Sequence, residues 1–185
     1  MEKVVLVKPD KEQEQQAKEY VQEFLESSSR IPGASSLEEY VNKYDDWLRR
    51  IDNHEKGIDL KEGYAPSSTY FVVREKDNKI VGMTNIRHRL TGKLLTHGGH
   101  IGYSIRPTER KKGYATELLF LVLEKYEEMG IEKVLVTCDK SNIGSVKVIQ
   151  NNFGVLENEL LVDDVLYQRY WIDVKFAVMS RRREK

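Results

Sequence analysis

A chain of 185 residues, 39% apolar and 32% charged, has the length and composition of one folded domain with a sizeable core, which argues against a disordered or fibrous protein. Thirty Lys and Arg balance thirty Asp and Glu, so no global basic field recommends nucleic acid or an anionic membrane, and any anion site has to be local. A single cysteine, Cys138, leaves no internal disulfide. With a start that lacks a secretory signal, and no run near the roughly 18 apolar residues of a membrane span, it predicts a cytoplasmic protein. Four histidines and one cysteine show no zinc-like spacing, and no metal is expected.

In chain order, Val4 to Pro9 reads as a first strand closed by proline. Asp10 can cap a helix through Ser28, whose Ala17, Tyr20, Val21, Phe24 and Leu25 recur at helical spacing. After a break at "IPGAS", a second helix is predicted from Ser36 to the stop at Gly57. Ser36 serves as its cap, Glu39 as its capping-box partner, and Leu37, Tyr40, Val41, Tyr44, Trp47, Leu48 and Ile51 form its apolar face. "TYFVVREKDNKIVGMTNIRHRL", 69–90, predicts two strands turning at "KDNK", and "HIGYSIRP" a strand from about His100 to Arg106. A helix follows, with Tyr114, Leu118, Leu121, Val122, Tyr126 and Met129 on one face and its end at Gly130. "EKVLVTCD" is a buried-type strand, "SNIGSVKVIQNNFG" a short helix, and 155–174 a hairpin turning at "DD". The tail "SRRREK" is expected to be solvated and frayed. The order β-α-α-β-β-β-α-β-α-β-β predicts one α/β domain, with a mixed, mostly antiparallel seven-stranded sheet and helices on both faces.

"RPTERKKGYATELL", 106–119, places three cations and a glycine at the start of a helix. A helix N-terminus already carries roughly +0.5 charge, so cations there are unfavourable unless an anion joins them. Unpaired N–H groups of the first turn can converge on a phosphate, a glycine permits close approach, and cations add charge-assisted bonds. By itself the stretch is also compatible with an ordinary turn carrying solvated lysines.

"RKKGYA", Arg110 to Ala115, fits the signature Arg/Gln-x-x-Gly-x-Gly/Ala, and "NIGS", Asn142 to Ser145, follows one strand later with "NNFG" behind it. Together these resemble the GNAT superfamily of acyl-CoA-dependent N-acyltransferases, most closely between 98 and 153 and weakly over the first 60 residues. Within it, "STYFVVRE", "IVGMTNIRHRL" and "GGHIGYSIRPTERKKGYATELL" look like a bacterial branch of acetyltransferases whose acceptor the resemblance does not supply. The resemblance implies acetyl-CoA as co-substrate, held by a core at about 98–153, with the region at about 10–68 shaping the acceptor side. It implies that Arg110, Lys111, Lys112, Gly113, Tyr114, Ala115 and Thr116 form the pyrophosphate loop. Ile105 would offer its backbone to the pantetheine arm, and Asn142 its side-chain amide. Ser145 adds a hydrogen bond or is a plain helix-face serine. Lys111 and Lys112 either touch the ribose phosphate or stay solvated. A glutamate at Gly113 is expected to block the coenzyme and spare the fold, provided that Gly113 has no need of a positive φ.

Two departures bear on mechanism. Ile149 stands where many relatives carry the tyrosine that protonates the leaving thiolate, and the strand before the loop lacks their glutamate, with no carboxylate before Glu109. His100 is the leading candidate base because an imidazole suits work near neutrality, and Tyr103 the replacement acid. Each is equally an ordinary strand residue. Strict alternation puts them on opposite faces, unless Gly98-Gly99 distort the strand. His88 is a further candidate, and Arg87 and Arg89 could bind an acidic group on the acceptor or remain solvated. Cys138, among aliphatic residues and beside Asp139, is expected to carry no acyl group. The predicted activity is direct acetyl transfer from acetyl-CoA to a primary amine of a small molecule or peptide. The alternative is a non-catalytic acyl-CoA-binding module, and a homodimer is left open.

Overall fold

The computed structural model describes residues 2–184. Among the described residues, seven strands follow in the predicted order with six α-helices, two more than predicted, one between the third and fourth strands and one after the last; the chain divides into two compact units, 1–89 with 102–115, and 90–101 with 116–185.

The first unit is built on a four-stranded sheet in the order β1 (Val4–Val7), β2 (Ser67–Arg74), β3 (Lys79–Arg87), β4 (Ile101–Ile105). β1 and β2 pair antiparallel, as do β2 and β3. The Arg106 N–H donates to the Val81 carbonyl and the Thr84 hydroxyl to the Gly102 carbonyl, so β4 also runs against β3. Gly82 makes the close approach feasible, since a Cβ there would lie 2.8 Å from the Ser104 oxygen.

Helices α1 (Glu14–Glu26) and α2 (Tyr44–Glu55) belong to the same unit. Asp10 caps as expected, and Gln13 completes a reciprocal capping box around a 3-10 turn that leads into α1. Ala17, Tyr20, Val21 and Phe24 are buried with Trp47, Phe71, Ile80 and Met83 in one apolar cluster. Leu25, expected on that face, is 61% exposed. The second helix starts at Tyr44, with Lys43 and not Ser36 at its cap position. Ser36 is left-handed, with φ 64°, and its side chain makes no capping bond, so "LEE" forms only a 3-10 turn. Burial of Leu37 and Trp47 explains the break: the Trp47 indole N–H donates to the carbonyls of Ala34 and Ser35, which fixes the chain reversal.

In the second unit, β5 (Lys133–Asp139), β7 (Val165–Asp173) and β6 (Val155–Val162) pair antiparallel in that order. The β6–β7 hairpin turns at Asp163 and Asp164 with φ 48° and 62°, the primed geometry that suits the strand twist. The short helix α3 (Gly92–Thr96) occupies what the sequence pattern left as a loop. Helix α4 (Tyr114–Glu128) buries Tyr114, Leu118, Val122 and Tyr126, whereas Met129, just past its end, is exposed. Helix α5 is Ile143–Gln150. The basic tail departs from expectation: it extends helix α6 (Val174–Glu184), where Arg181 pairs with Glu117 and Arg182 with Glu124 and Glu127. Three carboxylates on α4 hold it in place; Lys185 lies outside the described residues.

Gly98 and Gly99 both take positive φ, 102° and 58°, just before β4. A Cβ on Gly99 would lie 2.5 Å from the Leu135 carbonyl oxygen. Gly99→Ala should therefore cost about 1–3 kcal/mol of stability in urea unfolding, from backbone strain and this clash. Wild-type stability in that variant would contradict the assigned turn.

Candidate active site

Arg106, the residue after β4, is 4% exposed and anchors the strand to α1. Its guanidinium donates to Glu23 Oε1 at 3.2 Å and to the Gln16 carbonyl at 3.3 Å, and lies over the Tyr20 ring. A 3-10 turn, Pro107–Glu109, follows. Glu109 is 4% exposed and accepts from three cations: Arg74 Nη1 at 3.0 Å, Lys79 Nζ at 2.9 Å and Lys112 Nζ at 2.9 Å. Burial pushes this carboxyl up, but hydrogen bonds from Lys112 and Lys79, with the Lys79 and Arg74 charges, outweigh it and hold it at about 2. Arg74 also donates to the Tyr114 hydroxyl at 3.2 Å, so one buried cluster grips both ends of the turn.

Between those ends Arg110 is extended, Lys111 is left-handed with φ 61°, and Gly113 has φ 88°. The positive φ at Gly113 corrects the expectation that a side chain there would spare the fold: any substitution strains the turn as well as filling it. The three cations take different parts. Arg110 Nε donates to the Ile105 carbonyl at 3.3 Å, and its guanidinium lies 5.4 Å from the centroid of the Phe24 ring. Lys112 pairs with Glu109. Lys111 is exposed, and among the described residues its ammonium has no partner. Gly113 is exposed, Tyr114 is buried, and Ala115 and Thr116 are half-buried at the opening of α4. Ile105 is buried in β4, an edge strand of its sheet. The Arg106 N–H faces β3, so alternation turns the Ile105 N–H the other way.

In the second unit, Asn142 is the N-cap of α5, and its Oδ1 accepts the Ser145 N–H at 3.1 Å. That bond orients the amide and leaves Nδ2 as a donor without a partner among the described residues. Ser145 is half-buried on the first turn of α5. Ile149 is fully buried, and a Cβ on Gly154 would come within 2.3 Å of its Cγ2, so the position carries a core alkyl group.

His100 is 6% exposed and closely tied to β5. Its N–H donates to the Leu135 carbonyl at 2.7 Å, and its Nδ1 accepts the Leu135 N–H at 2.8 Å. The ring packs edge-on to Tyr126 and Trp171. Nδ1 is thus committed to the backbone, which gives His100 the contacts of a residue that bonds to β5 in place of a strand neighbour. Tyr103 is half-buried in β4. Cys138 is 8% exposed between Val136 and the strand end, and burial, with the Asp139 charge behind it, pushes its thiol up to about 11.

His88 lies one residue beyond β3, with its N–H on the Pro66 carbonyl. Its Nε2 is 2.9 Å from Ser68 Oγ, and Ser68 Oγ donates to Glu55 Oε1 at 2.5 Å. The cluster was not evident in the sequence, because Glu55, Ser68 and His88 are on three different elements.

Among the described residues no group of three or more His, Cys, Asp or Glu is placed to hold a metal, and no helix is long and apolar enough to cross a membrane.

Glu109 titrates below its ordinary value of 4.5. Its contribution to stability is therefore complete above about pH 4.5 and lost as pH falls toward about 2. Glu109→Gln should be less stable than wild type near neutrality, with the gap in urea midpoint closing across that window. A gap that stays constant down to pH 2 would contradict the pairing.

The fold recurs in solved structures. A GNAT-family acetyltransferase from Bacillus anthracis superposes with a TM-score of 0.59 at 19% identity, covering 94% of this chain and 96% of the other. The microcin C7 self-immunity acetyltransferase MccE, in complex with acetyl-CoA and AMP, does so with a TM-score of 0.66 at 15% identity, covering 92% of each chain. A ribosomal-protein-S5-alanine acetyltransferase from Vibrio fischeri gives 0.65 at 15% identity, covering 92% and 91%. At such identities the likeness establishes the fold. No match is found among curated proteins. The family model for the acetyltransferase (GNAT) domain matches residues 13–152, well over half of the chain. That span takes in the α1 helix, the glycine turn after β4 and the Asn142 cap, and it makes the chain a member of the GNAT acetyltransferase family.

Proposed function

We propose that this acetyltransferase moves an acetyl group from acetyl-CoA directly to a primary amine of a small-molecule or peptide acceptor. The observation that carries the reading is the turn at Arg110–Gly113, opened by positive φ at two positions and held from below by Glu109. Its backbone N–H groups and the α4 N-terminus suit the coenzyme pyrophosphate, and Lys111 supplies the uncommitted cation. Arg110 acts from behind, by fixing the Ile105 carbonyl. The outward-facing Ile105 N–H suits a pantetheine amide laid along the β4 edge, a short form of strand addition. In the second unit, the Nδ2 of Asn142, oriented by its cap, is a donor of the kind that an amide carbonyl takes. Lys112 balances Glu109 and contributes field more than contact. Residues at about 10–68 shape the acceptor side in this reading.

Tyr103 is the candidate acid for the leaving thiolate, since Ile149 has no proton to give. His100, with Nδ1 on Leu135, has a positioning part and no base function in this scheme. The buried alkyl group at Ile149 is also what favours the second reading, a module that holds acyl-CoA without turnover. Thiol release separates the two: acetyl-CoA is incubated with spermidine, amino acids, an aminoglycoside, and peptides beginning with serine or alanine. Turnover with any of them supports transfer. Tight acetyl-CoA binding with no thiol release from any supports the module.

Lys111→Gly removes a cation and leaves a residue at ease with φ 61°. It should weaken acetyl-CoA binding by about 0.5–1.5 kcal/mol in calorimetry, with the fold intact by circular dichroism. Unchanged affinity would remove Lys111 from the site.

Cys138→Ala should keep most of the activity, and initial-rate plots against both substrates should intersect. Holding amine and thioester together reaches effective molarities of about 10⁵ M or more without an acyl-enzyme. A stoichiometric acetyl-thioester on Cys138, with a folded but inactive Cys138→Ala, would overturn direct transfer.

A further inference from the structure

Lys8, Glu55, Ser68 and His88 come from the segment after β1, the last turn of α2, β2 and the residue beyond β3. They form one hydrogen-bonded line. Lys8 Nζ and Ser68 Oγ both donate to Glu55 Oε1, and Ser68 Oγ meets His88 Nε2 at 2.9 Å. Register explains the last contact: Ser68 opposes Ile86, and His88 is two residues on, on the same face of the hairpin.

The line has one consistent proton assignment. Burial pushes the Glu55 carboxyl up, but hydrogen bonds from Lys8 and Ser68 outweigh this, and the group is held below the ordinary carboxylate range. Glu55 is thus an ionised acceptor, and the single Ser68 hydroxyl proton goes to it. Ser68 Oγ can then only accept from His88, which places a proton on Nε2. In the neutral ring Nδ1 carries the lone pair, and among the described residues it has no hydrogen-bond partner. This is the arrangement of a base whose tautomer is set by a partly exposed, ionised carboxylate, with a buried serine hydroxyl between them.

Position adds a second argument. β3 and β4 run in opposite directions, so the Arg110–Gly113 turn is beside the Lys79 end of β3, where Lys79 reaches Glu109. His88 is at the other end of β3. A coenzyme arm laid along β4 from that turn carries its thioester toward the His88 end of the sheet.

Resting on the acetyl-transfer reading, we propose that His88 Nδ1 is the base that deprotonates the acceptor ammonium, with Ser68 and Glu55 as its positioning residues. In the step, one N–H bond of the ammonium breaks and an Nδ1–H bond forms, giving an imidazolium with a proton on each nitrogen. The freed amine lone pair attacks the thioester carbonyl. Collapse of the tetrahedral adduct breaks the C–S bond, the nitrogen loses its second proton, the thiolate gains one, and the imidazolium returns its proton to water. The net products are the amide, the free thiol of CoA and one released proton.

Charged groups that face the ring are Glu55 from α2 and Lys8 from the segment after β1. Burial lowers the affinity of the ring for a proton, Glu55 raises it and Lys8 lowers it, with the net direction below 6.5. Only the unprotonated ring accepts a proton, so activity should rise with pH along a limb whose midpoint is below 6.5. Glu55→Gln keeps an acceptor for Ser68 and removes the charge that raises the ring, so it should move that limb to lower pH.

The test combines three measurements on the full chain. Calorimetry gives acetyl-CoA affinity. The pH profile of kcat/KM is taken with the amine of the panel above that wild type acetylates fastest. Long-range proton–nitrogen spectra of labelled protein, recorded without acceptor, give the His88 tautomer. The inference predicts the Nε2–H tautomer, a loss of kcat/KM of about 10²–10⁴-fold at pH 7 in His88→Gln, and acetyl-CoA affinity unchanged within twofold. It also predicts loss of the single tautomer in Ser68→Ala. An Nδ1–H tautomer in wild type would overturn it even if no amine of the panel is acetylated. So would a His88→Gln variant that binds acetyl-CoA and keeps wild-type kcat/KM across the profile. Failure of wild type to bind acetyl-CoA would instead strike the acetyl-transfer reading, and this inference with it.

Discussion

Glu109 is the constraint on which the Arg110–Gly113 turn depends. An ionised carboxylate at 4% exposure costs several kcal/mol unless paired, and here three cations converge on it. Arg74 comes from β2, Lys79 from β3 and Lys112 from the turn itself. The pairing is therefore also a mechanical tie: it pins the turn to two strands and, through the Tyr114 hydroxyl, to the first residue of α4. With both ends fixed, Lys111 and Gly113 can hold the left-handed conformations that a free loop would not keep.

The tie also resolves an apparent conflict of charge. Three successive cations at a helix start would repel one another and the helix dipole. Lys112 is neutralised by Glu109, and Arg110 lies back over Phe24 onto the Ile105 carbonyl. One exposed lysine remains, at a place where backbone donors are also concentrated. Such an arrangement favours an anion that takes several N–H bonds and one ion pair, as a pyrophosphate does. Two other buried polar groups hold elements in place. Arg106 fastens β4 to α1, and His100 fastens the segment before β4 to Leu135.

Elements whose signal is local were legible in the sequence. The Asp10 cap, the "DD" turn and the helical faces of Ala17–Phe24 and Tyr114–Tyr126 each rest on neighbours within a few positions. The glycine turn before α4 was legible for the same reason, whereas the capping role of Asn142 emerges only in the structure. Ser36 misled because its capping pattern competes with burial of Leu37 and Trp47, and tertiary contacts won. The basic tail misled because its carboxylate partners are on α4, more than fifty residues earlier. Glu109 was visible only as a residue before the turn, since two of its three cations come from Arg74 and Lys79, thirty residues or more away. The Glu55–Ser68–His88 line was hidden for the same physical reason, and so was the tie of His100 to Leu135, which cannot be read from spacing.

The most direct measurement of the central claim is a titration of nitrogen-labelled protein with CoA, followed through assigned backbone amide resonances. If the turn holds the pyrophosphate, the amides from Lys111 to Thr116 should move first and furthest, saturate together, and respond much less to pantetheine, which lacks the phosphates. Saturable binding that leaves those amides in place, or equal responses to CoA and pantetheine, would contradict it.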